Sequence, residues 1–203
     1  MTESGAEAVL PFRGGRHYVP LADLMAHAIG SAETPAACPV TASAYRMIRS
    51  PSLSVVRSET PLSPREHDAI VSLGSHIHFG YTGRPSDDPA QAIECFEGAQ
   101  RPYITVGRQD GLVTAEAVHA PEVGASLPFW LIAAIKAASI DAFAARGGRW
   151  IAAKATLHQV PPRWRSARMT TPAPANARVF PWAVEIDGRA SGEVLFFNEP
   201  VAA

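Results

Sequence analysis

The sequence predicts an α+β fold in which a curved, mostly antiparallel sheet wraps one long apolar helix. Three observations predict it. Residues 127–146 form a helix-length run, Leu-Pro-Phe-Trp-Leu-Ile-Ala-Ala-Ile-Lys-Ala-Ala-Ser-Ile-Asp-Ala-Phe-Ala-Ala-Arg, that is apolar on nearly every side. A helix apolar on every face must be covered on every face. Strand-like segments flank this run, and the last two, 179–186 and 189–197, are joined at Asp187-Gly188, a dipeptide suited to a tight hairpin turn.

Residues 1–16 read as a flexible arm ending in Arg13-Gly-Gly-Arg16. A short helix is expected over 20–30, because Leu21, Leu24, Met25 and Ala28 share a face and Gly30 offers a stop. Residues 31–42, rich in Pro, Ala, Ser and Thr, read as loop. Strand-like pieces over 44–56 are broken at Ser50-Pro51. Ser63-Pro-Arg-Glu66 offers an N-cap, a first-turn proline and an acid in the capping-box position, so a second short helix is expected to about residue 73. Residues 74–81 read as a strand, 83–89 as a polar loop and 90–96 as a helical turn or two.

From Pro102 the pattern changes. Strands are expected at 103–106 and 112–118 with a turn at Asp110-Gly111, then the long helix, ended by Gly147-Gly148. Strands follow at 150–160, 164–171, 179–186 and 189–197, punctuated by Pro161-Pro162 and Pro172-Ala-Pro174. Short connections make the sheet mostly antiparallel. The last two strands carry apolar residues on both parities toward the end, which suggests burial on both faces there.

With 203 residues, 47% apolar and 18% charged, the chain supports a real core and suits one domain, or one domain with a large extension. A net charge of −1 argues against a nucleic-acid binder, since phosphate contacts need clustered cations and the densest group is only Arg163, Arg165 and Arg168. Within 127–146, Lys136 and Asp141 would each cost roughly 2.5–3.5 kcal/mol at a bilayer centre, so this is read as a buried helix and not a membrane span. Cys38 and Cys95 lack metal-type spacing and read as reduced, buried thiols of a cytosolic protein. The acidic N-terminal stretch lacks the basic-then-apolar pattern of a signal peptide.

Two segments resemble a known family. Leu127-Pro-Phe-Trp-Leu-Ile132 is similar to the opening of the central helix in 3-hydroxyacyl-ACP dehydratases, members of the hot-dog superfamily. Residues 184–196, Val-Glu-Ile-Asp-Gly-Arg-Ala-Ser-Gly-Glu-Val-Leu-Phe, resemble the last hairpin of hot-dog proteins. The likeness covers the C-terminal hundred residues or so. It implies a hot-dog core over 96–203, with 1–95 an N-terminal extension or a degenerate half. It also implies an acyl thioester substrate on acyl carrier protein or coenzyme A, no cofactor, and a homodimer. His119 and Pro121 match the family's His and Pro ahead of the helix, with one residue more before it begins. The family's helix carboxylate falls at Ala134.

Dehydrating a 3-hydroxyacyl thioester needs a base for the C2 proton, an acid for the leaving hydroxyl and donors for the thioester oxygen. His119 is the candidate base, against the alternative of a hydrogen-bonded structural histidine at a strand end. Glu122 is the nearest carboxylate in sequence and the candidate acid. Gly124 and Ser126 are small enough for a substrate to approach the helix N-terminus, and Ser126 suits the N-cap. Asp141 lies about two turns beyond Ala134 and reads as the partner of a surface arginine or a dimer contact. His76 and His78, at i and i+2, would share a strand face but lack the further ligand a metal site needs. Tyr81, beside them, is a candidate donor to a ligand carbonyl. Three functions are compatible with these residues: dehydratase, thioesterase, and a non-catalytic acyl-binding or assembly protein of the same fold.

Overall fold

The structure is a computed structural model that describes residues 4–10, 12–13, 18–32, 38–85, 92–93, 96–144, 148–172 and 178–199. The chain divides into two compact units, Met1–Cys95 and Phe96–Ala203.

The first unit contains β1 (Ser4–Val9), β2 (Phe12–Arg13), α1 (Leu21–Ser31), β3 (Val40–Ala44), β4 (Ser52–Ser58), β5 (Ala69–Leu73), β6 (Ile77–Gly83) and β7 (Ala92–Ile93). Its main sheet runs β1-β4-β6-β5-β3, with every neighbouring pair antiparallel. A parallel two-residue ladder joins β2 and β7. Helix α1 packs on β3 and β5 through the expected face of Leu21, Leu24, Met25 and Ala28.

Three expectations fail in this unit. The helical turn expected over 90–96 gives way at Ala92–Ile93 to strand β7, while residues 90, 91, 94 and 95 lie outside the described residues. The anticipated arm includes an edge strand, since Ser4–Val9 pairs residue by residue with β4. The anticipated helix after Ser63 is a single turn, closed by Glu66 N–H to the Ser63 carbonyl at 3.2 Å, followed by strand β5. The Ser63 hydroxyl accepts from Arg65 N–H at 3.3 Å, two residues on, which is a local turn and not an N-cap bond to the third residue. Ala-Ile-Val-Ser-Leu then sits between β3 and β6 with four of its five residues buried. The β-branched run and the pairing on both edges override the capping signal.

The second unit contains α2 (Phe96–Gln100), a 3-10 turn (Arg101–Tyr103), β8 (Ile104–Gln109), β9 (Leu112–Val118), a second 3-10 turn (Pro121–Val123), α3 (Leu127–Ala142), β10 (Arg149–Leu157), β11 (Ser166–Pro172), β12 (Val179–Ile186) and β13 (Arg189–Glu199). Its strands run β10-β13-β12-β11-β9-β8, antiparallel throughout. Both Asp-Gly hairpin turns form as expected, with φ of 51° and 76° at Asp110 and Gly111 and 49° and 73° at Asp187 and Gly188. Two successive left-handed residues match the right-handed twist of the flanking strands.

Helix α3 packs against β8, β9, β10 and β11, so the sheet curves around it. Trp130, Leu131, Ile135, Phe180, Trp182, Phe196, Leu157 and Met169 are fully buried in this unit. Three details differ from expectation. The helix ends at Ala142, ahead of the glycine pair, of which Gly147 lies outside the described residues. Strand β12 alternates strictly between exposed and buried positions, so its outer face is solvated and not doubly covered. The helix is not covered all round, because Ile140 is 47% exposed. Cys38 is a free, half-buried thiol, and Cys95 lies outside the described residues. No helix among the described residues is long and apolar enough to cross a membrane.

Candidate active site

His119 directly follows β9, and its backbone N–H donates to the Arg165 carbonyl at 2.9 Å. Its ring is half-buried against two indoles, with centroids 4.7 Å from Trp164 and 6.4 Å from Trp130. Trp130 is fully buried in the first turn of α3 and stands edge-on to Trp164 at 5.7 Å and to Tyr103 at 6.1 Å. Trp164 and Trp130 hold the imidazole beside the start of α3 through tilted and edge contacts, and Tyr103 backs Trp130.

The chain between His119 and α3 makes a tight reversal. Val123 N–H donates to the Ala120 carbonyl and Gly124 N–H to the Pro121 carbonyl, each at 3.1 Å. Gly124 closes this turn with φ of 68°, a conformation open to glycine without strain. Ser126 takes the N-cap backbone position, and its carbonyl accepts from Phe129 and Trp130 at 3.0 and 3.3 Å. Its exposed hydroxyl makes no capping bond, unlike the usual serine cap. Pro128 contributes no N–H to this first turn.

Glu122, in the same 3-10 turn, accepts a 2.6 Å hydrogen bond from the Tyr103 hydroxyl. That bond, a backbone bond and the nearby His119 charge hold the Glu122 carboxyl below its usual range. The same bond and the carboxylate's charge raise the Tyr103 phenol, so it keeps its proton at higher pH. Glu122 is therefore an ionised carboxylate near neutral pH, which suits an acceptor and not the proton donor expected from the sequence. Tyr103 was not singled out by the sequence, because its pairing with Glu122 spans 19 residues and depends on how two 3-10 turns meet. Ala134, at the position the resemblance assigns to a carboxylate, is fully buried in the core.

Tyr81 is fully buried in the first unit, on β6. Its hydroxyl donates to the Leu24 carbonyl at 3.2 Å and lies 3.0 Å from His27 Nδ1. A carbonyl can only accept, so with the phenol proton directed there the His27 Nδ1–H donates to the phenol oxygen. Burial raises the Tyr81 phenol, and its hydroxyl is engaged by α1. The two neighbouring histidines do not share a strand face. His76 lies exposed in the turn before β6, while His78 is buried with Nδ1 2.8 Å from the Ser72 hydroxyl. Asp141 pairs with Arg101 at 3.0 Å, the surface-arginine role expected for it.

No protein-family model and no curated protein matches the chain. Solved structures do match. A fusion DH domain is 14% identical with a TM-score of 0.55, covering 98% of this chain and 88% of its own. A protein assigned as an oleoyl thioesterase from Lactobacillus plantarum is 10% identical with a TM-score of 0.53, covering 98% of each chain. The dehydratase domain of PpsC from Mycobacterium tuberculosis, solved with C12:1-CoA, is 12% identical with a TM-score of 0.52, covering 97% of this chain and 94% of its own. These neighbours are hot-dog proteins, and the chain has the hot-dog fold.

Proposed function

We propose that this protein is an enzyme acting on acyl thioesters of acyl carrier protein or coenzyme A, with His119 as its base. The observation that carries this reading is the half-buried imidazole packed against the mutually touching rings of Trp164 and Trp130 at the start of α3, beside the ionised Glu122. Fold alone does not choose the reaction, so the side chains must.

Thioester hydrolysis suits them best. His119 takes a proton from water, and the hydroxide so formed attacks the thioester carbon. The first turn of α3 presents the positive end of its dipole to the developing oxyanion. The C–S bond then breaks, and the proton on His119 goes to the departing thiolate. Glu122 stabilises the transient imidazolium by its charge and needs no proton of its own. Gly124 and Ser126 leave the backbone of this corner open to the substrate.

A second reading, dehydration of a 3-hydroxyacyl thioester, is favoured by Tyr103. Its raised phenol retains a proton that could pass to the leaving hydroxyl while His119 removes the C2 proton. The carboxylate absent at Ala134 and the ionised state of Glu122 count against it.

One experiment separates the readings. The protein is incubated with a saturated acyl-CoA and a 3-hydroxyacyl-CoA while free thiol and enoyl absorbance are followed. Thiol release lost in His119→Ala supports hydrolysis, and enoyl formation lost in the same variant supports dehydration. Neither signal in the wild type, with acyl-CoA still bound, reduces the protein to an acyl-binding role. We also read residues 1–95 as a degenerate half, since each unit lays a helix on an antiparallel sheet, and the assembly as a cytosolic homodimer. Light scattering tests the dimer.

A further inference from the structure

One end of the second unit's sheet carries cations that the proposed reaction leaves unused. His119 follows β9, Arg165 precedes β11, and the Asp187-Gly188 turn joins β12 to Arg189, the first residue of β13. The register brings these ends together, since Val118 pairs with Ser166, Ala167 with Ile186, and Ile186 with Arg189. Arg163, Arg165 and Arg189 are all exposed there. Trp164, between the first two, is buried against His119, which fixes the stretch of chain that carries them.

The carboxylate beside them is Asp187. Its Oδ1 accepts from the Ser166 and Arg165 amides, each at 2.9 Å. Those two bonds, and after them the charges of Arg165 and Arg189, hold the carboxyl below its usual range. None of the three arginines forms an ion pair among the described residues. Glu122, the carboxylate nearest His119 in the chain, is engaged by the Tyr103 hydroxyl. Arg168, further along β11, differs, because it pairs with Glu116 at 3.5 Å. Three guanidinium groups thus share one carboxylate, and a planar guanidinium is suited to a phosphate by its paired donors.

Neighbouring strands lie about 4.8 Å apart, so the three steps from β9 through β11 and β12 to β13 set the Arg189 backbone about 14 Å from His119, with Arg165 between them. In a coenzyme A thioester the pantetheine arm, with about the bond count of a four-residue extended peptide, reaches roughly 15 Å from sulfur to the first phosphate. We propose that Arg163, Arg165 and Arg189 bind the phosphates of a coenzyme A thioester whose acyl carbon lies at His119. This rests on the proposed reaction and names its carrier. An acidic carrier protein fits less well, because a protein-sized contact would also cover Glu116, Glu185 and Glu193, which are exposed on the same strands.

Calorimetry on the full chain with S-hexyl-coenzyme A and S-hexyl-pantetheine tests this without turnover, since neither thioether can be hydrolysed as a thioester. Arg163→Gln, Arg165→Gln and Arg189→Gln should each weaken S-hexyl-coenzyme A by roughly two- to fivefold, the range of exposed ion pairs, and three such contacts should favour it over S-hexyl-pantetheine by at least about tenfold. Added salt should shrink that preference. Arg57→Gln, on β4 of the other unit, should change neither affinity. Circular dichroism confirms that each variant is folded. Equal affinity for the two thioethers overturns the proposal, as does no binding of S-hexyl-coenzyme A or an equal loss in Arg57→Gln. So does a loss, in the three variants, of affinity for S-hexyl-acyl carrier protein alone, which would make this edge a protein dock. Thiol release and enoyl formation are read separately. Turnover with equal thioether affinities sinks the carrier assignment alone, whereas arginine-dependent binding without turnover sinks the reaction alone.

Discussion

Tyr103 is the residue on which the state of Glu122 turns. Removing its hydroxyl takes away the largest influence holding the carboxyl low, so in Tyr103→Phe the Glu122 pKa should rise toward its ordinary value. Carbon-detected NMR titration of labelled glutamate checks this directly. Trp130 is the other decisive side chain, fully buried and in contact with three rings. Trp130→Ala should lose about 3–5 kcal/mol of stability in urea unfolding, the usual cost of deleting a large buried aromatic. His119 was legible as a candidate through the resemblance, because it and Pro121 match the His and Pro that precede the central helix in the dehydratases. Its indole neighbours were not, since Trp164 reaches it only through the pairing of β9 with β11.

Among the elements, β13 carries the tightest constraint. Gly192 has φ of 143°, and a Cβ there would come 2.0 Å from the Thr156 carbonyl oxygen of β10. Gly192→Ala must break the β10–β13 pairing locally or distort φ, so a loss of at least about 2 kcal/mol is expected in thermal or urea unfolding. Elements whose own residues set the period were legible: α1 from its apolar face, and both Asp-Gly hairpins from turn chemistry. The segment after Ser63 was not, because its capping signal is local whereas the sheet that claims β5 is built from strands on both sides of it in the chain. The solvated outer face of β12 was also missed, since apolar residues at both parities do not reveal which of them face water.

At the scale of the whole molecule, acid stability should fall in two stages. Burial lowers the His27 pKa, so the unfolded chain takes up that proton more readily than the folded one. Stability from this group is complete above the unfolded value of about 6.5. It declines as pH falls from there to the folded value, and then levels off. Glu122 and Asp187 act at lower pH. Their folded pKa values are depressed, so their contribution is present above the unfolded values and is lost as pH falls through the folded ones. Melting temperature against pH should show both declines, and His27→Gln should remove the upper one while leaving the lower. The wrapped-helix architecture of residues 96–203 was legible from pattern alone. The sheet of residues 1–95 was not, because most of its strands are short and carry no hairpin dipeptide to announce the pairing.

The two Asp-Gly turns differ in a way that matters for anyone altering this chain. At Asp110-Gly111 the aspartate makes no hydrogen bond among the described residues, and the turn simply reverses β8 into β9. At Asp187-Gly188 the carboxylate accepts from Arg165 and Ser166 N–H, each at 2.9 Å, while the Asp187 N–H returns a bond to the Ser166 carbonyl at 2.9 Å. Arg165 in turn holds the His119 backbone. A peptide tag spliced in at 110–111 should therefore be carried as an ordinary loop insertion. The same tag at 187–188 would unmoor the stretch of chain that seats the candidate base.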